Sequence, residues 1–396
     1  MGKRPIPKGE DWEEALQSLS PTLSALEAAE VIRRTLPPEQ ARMALEQRDL
    51  RRRAEGRLAN ASSLLLTRKG LEQATRERVA LERASRISIR MPNALVFDAT
   101  SGIGSDSYAL AKSGLRFLVA DIEPEHAKCA RTNLVRFHLP AHVVIADANH
   151  PPVKADVIVL DPDRRDGSKR LADPEKWSPS LSACLRLATT VQATCIKLAP
   201  ALDLDRIPSL PESLRHSWQW TSADGELVEV ALWTGELAAI DGERQILCLN
   251  DDLEPTHYSG TPMPDFHMPA EEAQNVEWIS EPDPALIRSG LLTHFAQANG
   301  LAPIGPSIAY LGSKSQPASS PLIKTWRVRA SSTSDRKRVR AMLREHDIGE
   351  LVVKKRGYPK TAAELAREYR GKGSQTGTLI VTRLEKGHRA YLVASS

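Results

Sequence analysis

Apolar residues recur at steps of three and four along the first 90 residues of the chain. This spacing is typical of one face of an amphipathic helix. A break is expected at Pro37-Pro38, and a later helix is expected over residues 71–86, after Thr67 as its N-cap. The pattern therefore predicts a helical N-terminal region over residues 1–90.

From residue 94 onward, short apolar runs alternate with helical segments. Continuous apolar strands that alternate with helices are typical of a parallel sheet covered by helices on both faces. Farther along, two apolar segments flank Asp224-Gly225, which is a hairpin signal. The sequence therefore predicts an α/β domain over residues 91–240 whose parallel sheet ends in an antiparallel hairpin. The parallel strands are expected at 95–98, 117–121, 143–146, 157–161 and 195–198.

Prolines are frequent in residues 241–320, which are expected to form an irregular, partly helical connection. A helix is predicted there over residues 285–297, and a linker over residues 303–321. Strands and helices alternate again in residues 321–396, which predict a small α+β domain.

A glycine-containing turn, Asp98-Ala99-Thr100-Ser101-Gly102-Ile103-Gly104, follows the first predicted parallel strand and opens a helix. Ligands of open α/β sheets bind at this end of the strands, and the two glycines allow a ligand to approach the backbone closely. The turn departs from the dinucleotide fingerprint, because Ser107 stands at its third glycine position. A carboxylate at Asp98 suits the cationic amino group of a methionine moiety better than a pyrophosphate.

Acidic residues follow the next two strands. Asp121 ends the second strand, where a carboxylate can accept both ribose hydroxyls of an adenosine, and Asp147 is expected near the adenine amino group. With the glycine turn and the terminal hairpin, this order predicts a Rossmann-like class I methyltransferase that binds S-adenosylmethionine. The alternatives are an NAD-type oxidoreductase and a turn that binds no ligand. The predicted cofactor-binding residues are Asp98, Ala99, Thr100, Gly102, Gly104, Asp121, Ile122, Asp147 and Ala148.

Asp161-Pro162-Asp163-Arg164 ends the fourth predicted parallel strand and is expected to face the same cleft. Amino-methyltransferases carry Asp/Asn-Pro-Pro-Tyr/Phe in this position, where the first residue holds an exocyclic amine. Asp163 replaces the second proline, and Arg164 replaces the aromatic residue. Arg164 can stack on a base or hold a phosphate, or pair with nearby acids. These four residues are predicted to be catalytic, and Lys197 is predicted to line the substrate site.

The net charge of +4 is distributed unevenly. Residues 91–320 carry 18 Lys and Arg against 30 Asp and Glu, whereas residues 321–396 carry 18 against 7. A basic C-terminal segment favours a polyanionic partner, although a solvated surface with a charge bias is the alternative. The predicted phosphate contacts, which would position RNA without reading its sequence, are Arg336, Lys337, Arg338, Arg340, Lys354, Lys355 and Arg356.

Motifs along nearly the whole chain carry a family resemblance. They are Thr67 with Gly70-Leu71-Glu72-Gln73-Ala74-Thr75, the turn Asp98–Gly104, Asp161–Arg165, Glu281-Pro282-Asp283-Pro284, Ile287–Leu291 and Val352-Val353-Lys354-Lys355-Arg356-Gly357. In combination they resemble bacterial class I methyltransferases with a C-terminal THUMP-like domain. The turn is also similar to that of trimethylguanosine synthases. Those enzymes carry a Pro-Pro-Trp-type motif, whereas this chain has Pro162-Asp163-Arg164 in its place. The resemblance implies an RNA substrate, because THUMP domains present RNA to an attached catalytic domain.

Together these features predict an S-adenosylmethionine-dependent methyltransferase that modifies a base in tRNA or rRNA, with an exocyclic amine favoured. The alternatives are a non-catalytic RNA-binding protein with a methyltransferase fold, and a methyltransferase for a protein or a small molecule. No apolar run approaches the ~20 residues that span a bilayer. The four scattered cysteines and the histidines show no metal-ligand spacing. A cytoplasmic protein with neither a membrane partner nor a metal is therefore expected.

Overall fold

The computed structural model describes residues 11–394, except residues 21, 167, 168, 201, 203, 205, 206, 208 and 251–253. The chain divides into two compact units. The first comprises Met1–Lys197, Asp203–Arg215 and Trp233–Ala238, and the second comprises Leu198–Leu202, His216–Leu232 and Ala239–Ser396. No helix among the described residues is both long enough and apolar enough to cross a membrane.

Among the described residues, five helices precede the first strand, in agreement with the apolar spacing. They are α1 (Asp11–Gln17), α2 (Ala25–Thr35), α3 (Pro38–Ala54), α4 (Arg68–Gln73) and α5 (Glu77–Arg90), with a 3₁₀ turn at Ala61–Ser63. Thr67 caps α4 as predicted, because its hydroxyl accepts a hydrogen bond from the backbone of Gly70. The single helix expected over residues 71–86 was wrong. The backbone is extended at Ala74, which separates α4 from α5.

The first unit then alternates strands with helices. Its elements are β1 (Leu95–Asp98), α6 (Ser105–Lys112), β2 (Arg116–Asp121), α7 (Pro124–Arg136), β3 (Val143–Ile145), β4 (Val157–Leu160), β5 (Arg165–Asp166), β6 (Lys169–Arg170), α8 (Leu181–Ala188) and β7 (Ala193–Leu198), with a 3₁₀ turn at Pro174–Lys176. The parallel strands lie in the order β7-β4-β1-β2-β3. The five predicted strands and the α/β class are confirmed, and the carboxyl ends of β1, β2 and β4 meet at one edge of the sheet.

The N-terminal helices and the α/β part of this unit share a core. Leu64 and Leu66, which follow the first 3₁₀ turn, are buried together with Ile103 of the glycine turn and Cys129 of α7. The glycine turn is therefore backed by the helical region.

The second unit begins with the predicted hairpin. Strands β8 (His216–Ala223) and β9 (Glu226–Gly235) are neighbours in one sheet. Asp224 and Gly225 between them both have positive φ, at 53° and 75°, as a two-residue hairpin turn requires. Strand β10 (Arg244–Leu249) runs parallel to β8 and antiparallel to β11 (Thr256–Gly260).

Residues 241–320 contain more strands than their prolines suggested. Besides β10 and β11 they form α9 (Ala270–Gln274), β12 (Trp278–Pro282), α10 (Pro284–Arg288), α11 (Leu292–Ala298), β13 (Ala302–Pro303) and β14 (Leu311–Ser313). The helix expected over residues 285–297 is interrupted at Gly290, whose φ is +72°. Strand β14 lies inside the expected linker and pairs with β12. Prolines end β12 and β13, positions where they do not disturb the sheet.

The C-terminal segment alternates strands and helices, as its pattern predicts. These are β15 (Ile323–Thr333), α12 (Arg336–Glu345), β16 (Ile348–Arg356), α13 (Ala362–Tyr369), β17 (Gln375–Arg383) and β18 (His388–Val393). They complete a seven-stranded sheet in the order β13-β14-β12-β15-β18-β17-β16. Helices α12 and α13 pack on one face of it through Val339, Leu343 and Leu365.

Candidate active site

The glycine turn between β1 and α6 has the backbone conformation that its sequence predicts. Gly102 and Gly104 have φ values of +53° and +91°, in the left-handed region that favours glycine. A Cβ on Gly104 would stand 3.1 Å from the Cα atom of Ala130 in α7. The backbone N–H of Gly102 donates to Asp121 at 2.8 Å, so the turn is fixed to the end of β2.

Asp98, at the end of β1, is buried, and its carboxylate accepts a 2.5 Å hydrogen bond from the hydroxyl of Ser107. Burial and, next, the charge of Asp106 raise the pKa of Asp98 to about 7, although Ser107 and Lys197 oppose the shift. With a pKa raised in this way, the carboxyl group is stabilised in its ionised form by a nearby cation, since a positive charge favours that form.

The acidic residues that follow β2 and β3 differ in their surroundings. Asp121 is buried and accepts hydrogen bonds from the backbone of Gly102 at 2.8 Å and of Glu123 at 2.9 Å. Its hydrogen bond raises the pKa of His126, whose ring lies 3.5 Å away. Asp147 is engaged by Asn149 in its own turn. The structure therefore places Asp121 and Asp147 at the ends of adjacent strands.

Three further residues that were predicted to bind the cofactor, each next to one of these carboxylates in the sequence, also lie at this edge of the sheet. Ala99 is buried and its backbone N–H donates to Val159 of β4. Ile122 is 57% exposed, and Ala148 is buried. An exposed isoleucine beside a strand-end carboxylate gives the cleft an apolar surface.

Lys197, which is buried in β7, is the centre of a charge cluster that includes Asp161 at the end of β4. The ammonium group of Lys197 donates to the carboxylates of Asp161 at 2.5 Å and Asp106 at 3.0 Å, and to the hydroxyl of Thr75 at 2.6 Å. Arg83 pairs with the other oxygen of Asp106 at 2.9 Å. Although burial opposes its ionisation, Arg83 and then Lys197 lower the pKa of Asp106 to about 2.

The backbone also joins Asp161 to the glycine turn. The N–H of Asp161 donates to the hydroxyl of Thr100 at 2.6 Å. Pro162 is buried, and the guanidinium group of Arg164 lies 4.0 Å from Asp161. Thr100 and Asp161, predicted separately for cofactor and acceptor, are thus joined by a hydrogen bond.

Asp163 has a different environment from the one expected of a catalytic residue. Its carboxylate contacts Lys69 at 2.8 Å and Gln73 at 2.9 Å, both on α4. Its backbone exchanges hydrogen bonds with Ser178 in both directions, at 2.8 and 3.0 Å. Arg165 pairs with Glu72 of the same helix at 2.9 Å. Asp163 therefore fixes the loop after β4 to the N-terminal helices.

Known proteins resemble this chain in its C-terminal part and along most of its length. Residues 323–395 match the family model described as THUMP domain-like. Over 356 residues the chain is 29% identical to proteins of two Mycobacterium tuberculosis strains, CDC 1551/Oshkosh and ATCC 25618/H37Rv, both described as uncharacterized S-adenosylmethionine-dependent methyltransferases. Each match covers 87% of this chain and 93% of the relative.

This chain is related to the S-adenosylmethionine-dependent methyltransferases. A solved structure from Porphyromonas gingivalis W83, which carries a provisional methyltransferase name, shares the fold, with a TM-score of 0.72 and 19% identity over 98% of both chains. The predicted family resemblance, the enzyme class and the cofactor are confirmed.

Several side chains of the methyltransferase site were absent from the sequence prediction. Thr75 belongs to a motif that carried the family resemblance without an assigned role, and Asp106 stands in the first turn after the glycines. Arg83 could have been found, because it is a charged residue between Val79 and Ile87 on the apolar stripe of α5. Over the residues that the structure describes, no three His, Cys, Asp or Glu side chains are grouped to hold a metal ion.

The THUMP-like domain separates the basic residues that were predicted to act together. Lys354 and Arg356 of β16 both contact Glu281, at 2.5 and 3.8 Å. Lys354 also lies over the ring of Trp326, on the face of the sheet opposite α12. Lys355 donates to the backbone of Tyr358. The remaining four, all exposed on α12, are Arg336, Lys337, Arg338 and Arg340.

Proposed function

We propose that this chain methylates a base in tRNA or rRNA, at an exocyclic amine. The observation that carries the proposal is Asp161, a strand-end carboxylate that is joined to the glycine turn by Thr100 and oriented by Lys197. When bound, S-adenosylmethionine supplies the methyl group. The reaction is an in-line displacement, in which positioning provides most of the catalysis.

The residues at the edge of the sheet fit the cofactor. Gly102 leaves the backbone open to close approach by a ligand, whereas Gly104 allows α7 to pack against the turn. The carboxyl group of Asp98 suits an amino cation. Asp121 suits ribose hydroxyls. The buried hydroxyl of Ser101 has no hydrogen-bond partner within the described part of the chain, so it can serve the ligand.

Asp161 is proposed to accept an N–H of the acceptor amine, which turns the nitrogen lone pair toward the methyl group. Arg164, whose side chain is one-third exposed, takes the place of the usual aromatic platform. A guanidinium plane can stack on a base. Pro162 is buried beside them and keeps the loop rigid.

The proposal that the acceptor is RNA rests on the C-terminal domain. It matches the THUMP domain-like model, and residues 321–396 carry 18 basic against 7 acidic residues. The exposed cations of α12 point to different sides of the helix, apart from Arg336 and Arg340, which lie one turn apart on the same side. Together they supply positive charge that a phosphate backbone can contact.

The deciding experiment compares modified nucleosides by mass spectrometry in total tRNA and rRNA from strains with and without the gene. One methylated nucleoside should be missing from the deletion strain. The purified protein should restore it in that RNA from labelled S-adenosylmethionine. If no nucleoside is missing and the RNA takes up no label, a protein or small-molecule acceptor, or a non-catalytic role, replaces this proposal.

Charge removal on α12 should weaken RNA binding. The variant has Arg336, Lys337, Arg338 and Arg340 changed to glutamine. The magnitude of the slope of log affinity against log salt concentration should decrease by about three, because each lost phosphate contact removes somewhat less than one unit. Fluorescence polarisation with labelled tRNA over a potassium chloride series measures it.

The matched control changes Lys354 and Arg356 to glutamine. Because Glu281 already neutralises part of their charge, we expect the slope to fall by about one or less. Equal slopes for the two variants would show that α12 is not the RNA-binding surface.

A further inference from the structure

We propose that Lys197 is a positioning residue of the methyl-transfer site, which holds Asp161 through a buried network completed by the N-terminal helical region. The proposal rests on the proposed function, because Asp161 is taken there as the residue that contacts the acceptor amine. It assigns a role to Lys197, Asp106, Arg83 and Thr75 together.

The hydrogen bonds of Lys197 argue against a direct role in substrate binding. An ammonium group has three N–H donors, and among the described residues Asp161, Asp106 and Thr75 all accept hydrogen bonds from this one. The side chain is only 6% exposed. Lys197 was predicted to line the substrate site, but its donors point to the network instead.

Opposite charges alternate in the described part of the network. Two carboxylates, Asp106 and Asp161, alternate with two cations, Lys197 and Arg83, at distances of 2.5 to 3.0 Å. Removing one member of such a buried arrangement leaves its partner uncompensated, which costs more than the loss of an exposed ion pair. Asp161 is therefore held in one position through the oxygen that Lys197 contacts, while its other oxygen lies 4.0 Å from the guanidinium group of Arg164.

Thr75 brings the N-terminal region into this network. Its hydroxyl accepts a hydrogen bond from Lys197 and donates one to Asp106 at 2.9 Å. Thr75 lies in the break between α4 and α5. In an uninterrupted helix, the helical repeat would set the direction of its side chain. Together with Lys69 and Gln73, which hold Asp163, it makes the helical region part of the catalytic site.

The network also reaches the cofactor carboxyl group. The charged and polar groups that act on Asp98 are Asp106 and Ser107 of α6, Lys197 of β7 and Asp121 of β2. Lys197 lowers the pKa of Asp98, and Asp106 raises it. Loss of the Lys197 charge should therefore shift the pH dependence of cofactor binding upward, which can be measured without any acceptor.

The test compares Lys197→Met with Lys112→Met, a control that removes the same charge from the exposed end of α6. Transfer of label from S-adenosylmethionine to total RNA of the deletion strain should fall about 100-fold in Lys197→Met. The dissociation constant for S-adenosylmethionine at a pH well above 7 should stay within about threefold of the wild-type value. The midpoint of its pH dependence should move upward.

Chemical rescue separates positioning from a general loss of structure. In Lys197→Ala, methylammonium ions should restore methyl transfer by about tenfold, because the small cation can occupy the space between Asp106 and Asp161. Thr75→Val should lower transfer by about tenfold while preserving thermal stability better than Lys197→Ala.

Two results would overturn the proposal: methyl transfer by Lys197→Met within about threefold of the wild type, or a pH midpoint for cofactor binding equal to that of Lys112→Met. If the wild-type protein transfers no label to RNA, the proposed function fails. The midpoint of the pH dependence of cofactor binding then still reports whether the charge of Lys197 acts on Asp98.

Discussion

Changing Asp161 to asparagine should lower methyl transfer to RNA by about 100-fold, the order of loss expected when a reacting group is misplaced. The variant keeps the size of the side chain but removes the charge that Lys197 contacts at 2.5 Å. It also gives one end of the side chain an N–H in place of an acceptor. Single-turnover incorporation of label into RNA from a strain that lacks the gene measures the rate.

The affinity for S-adenosylmethionine provides the contrast. Asp161 is joined to the glycine turn by its backbone N–H, which donates to Thr100 and is present in both forms. The calorimetric dissociation constant should therefore change by less than about threefold. A matched variant, Asp163→Asn, should lose thermal stability through its contacts with Lys69 and Gln73 while keeping most of its rate. A slow Asp163→Asn and a fast Asp161→Asn would reverse the two roles.

The sequence predicts those parts of the fold that depend on local patterns. Apolar runs located the strands of the parallel sheet, and the glycine turn and the Asp224-Gly225 hairpin were identified from residues whose conformational preferences are strong. The regions rich in proline were predicted less well. Short strands such as β14, Leu311–Ser313, are stabilised by pairing with distant partners, which no local pattern reveals.

The site was predictable only as far as its residues follow strand ends. Asp98, Asp121 and Asp161 were found in this way, because the carboxyl ends of parallel strands meet at one edge. Thr75 and Arg83 escaped, since they lie on helices and loops far from those ends in sequence. Only the folded chain brings them to Lys197.

The departures from familiar motifs also needed the structure. Asp163 stands where amine methyltransferases carry a second proline, and the contact with Lys69 and Gln73 supplies a structural reason for it. Similarly, the alternation of side chains along β16 sends Lys354 and Lys355 to opposite faces of the sheet. A run of charges in a sequence therefore does not establish a continuous charged surface.

The affinity for S-adenosylmethionine should increase with pH up to about pH 7. Burial, followed by the charge of Asp106, raises the pKa of Asp98 to about 7, so that below this pH the carboxyl group of the free protein is mostly protonated. Pairing with the cationic amino group of the ligand favours the ionised form, and binding therefore releases a proton. The dissociation constant should fall by about tenfold per pH unit below pH 7 and level off above it.

Calorimetry in buffers of different ionisation enthalpy should detect the released proton directly. Two controls isolate Asp98 as its source. In Asp98→Asn the affinity should be weaker by about tenfold or more at pH 8, and almost independent of pH. Methylthioadenosine, which lacks the amino acid part of the cofactor, should bind the wild-type protein with little pH dependence. A strong pH dependence for methylthioadenosine, or one that persists in Asp98→Asn, would show that another group titrates. His126 beside Asp121 is the first alternative, because its hydrogen bond to Asp121 raises the pKa of the His126 ring.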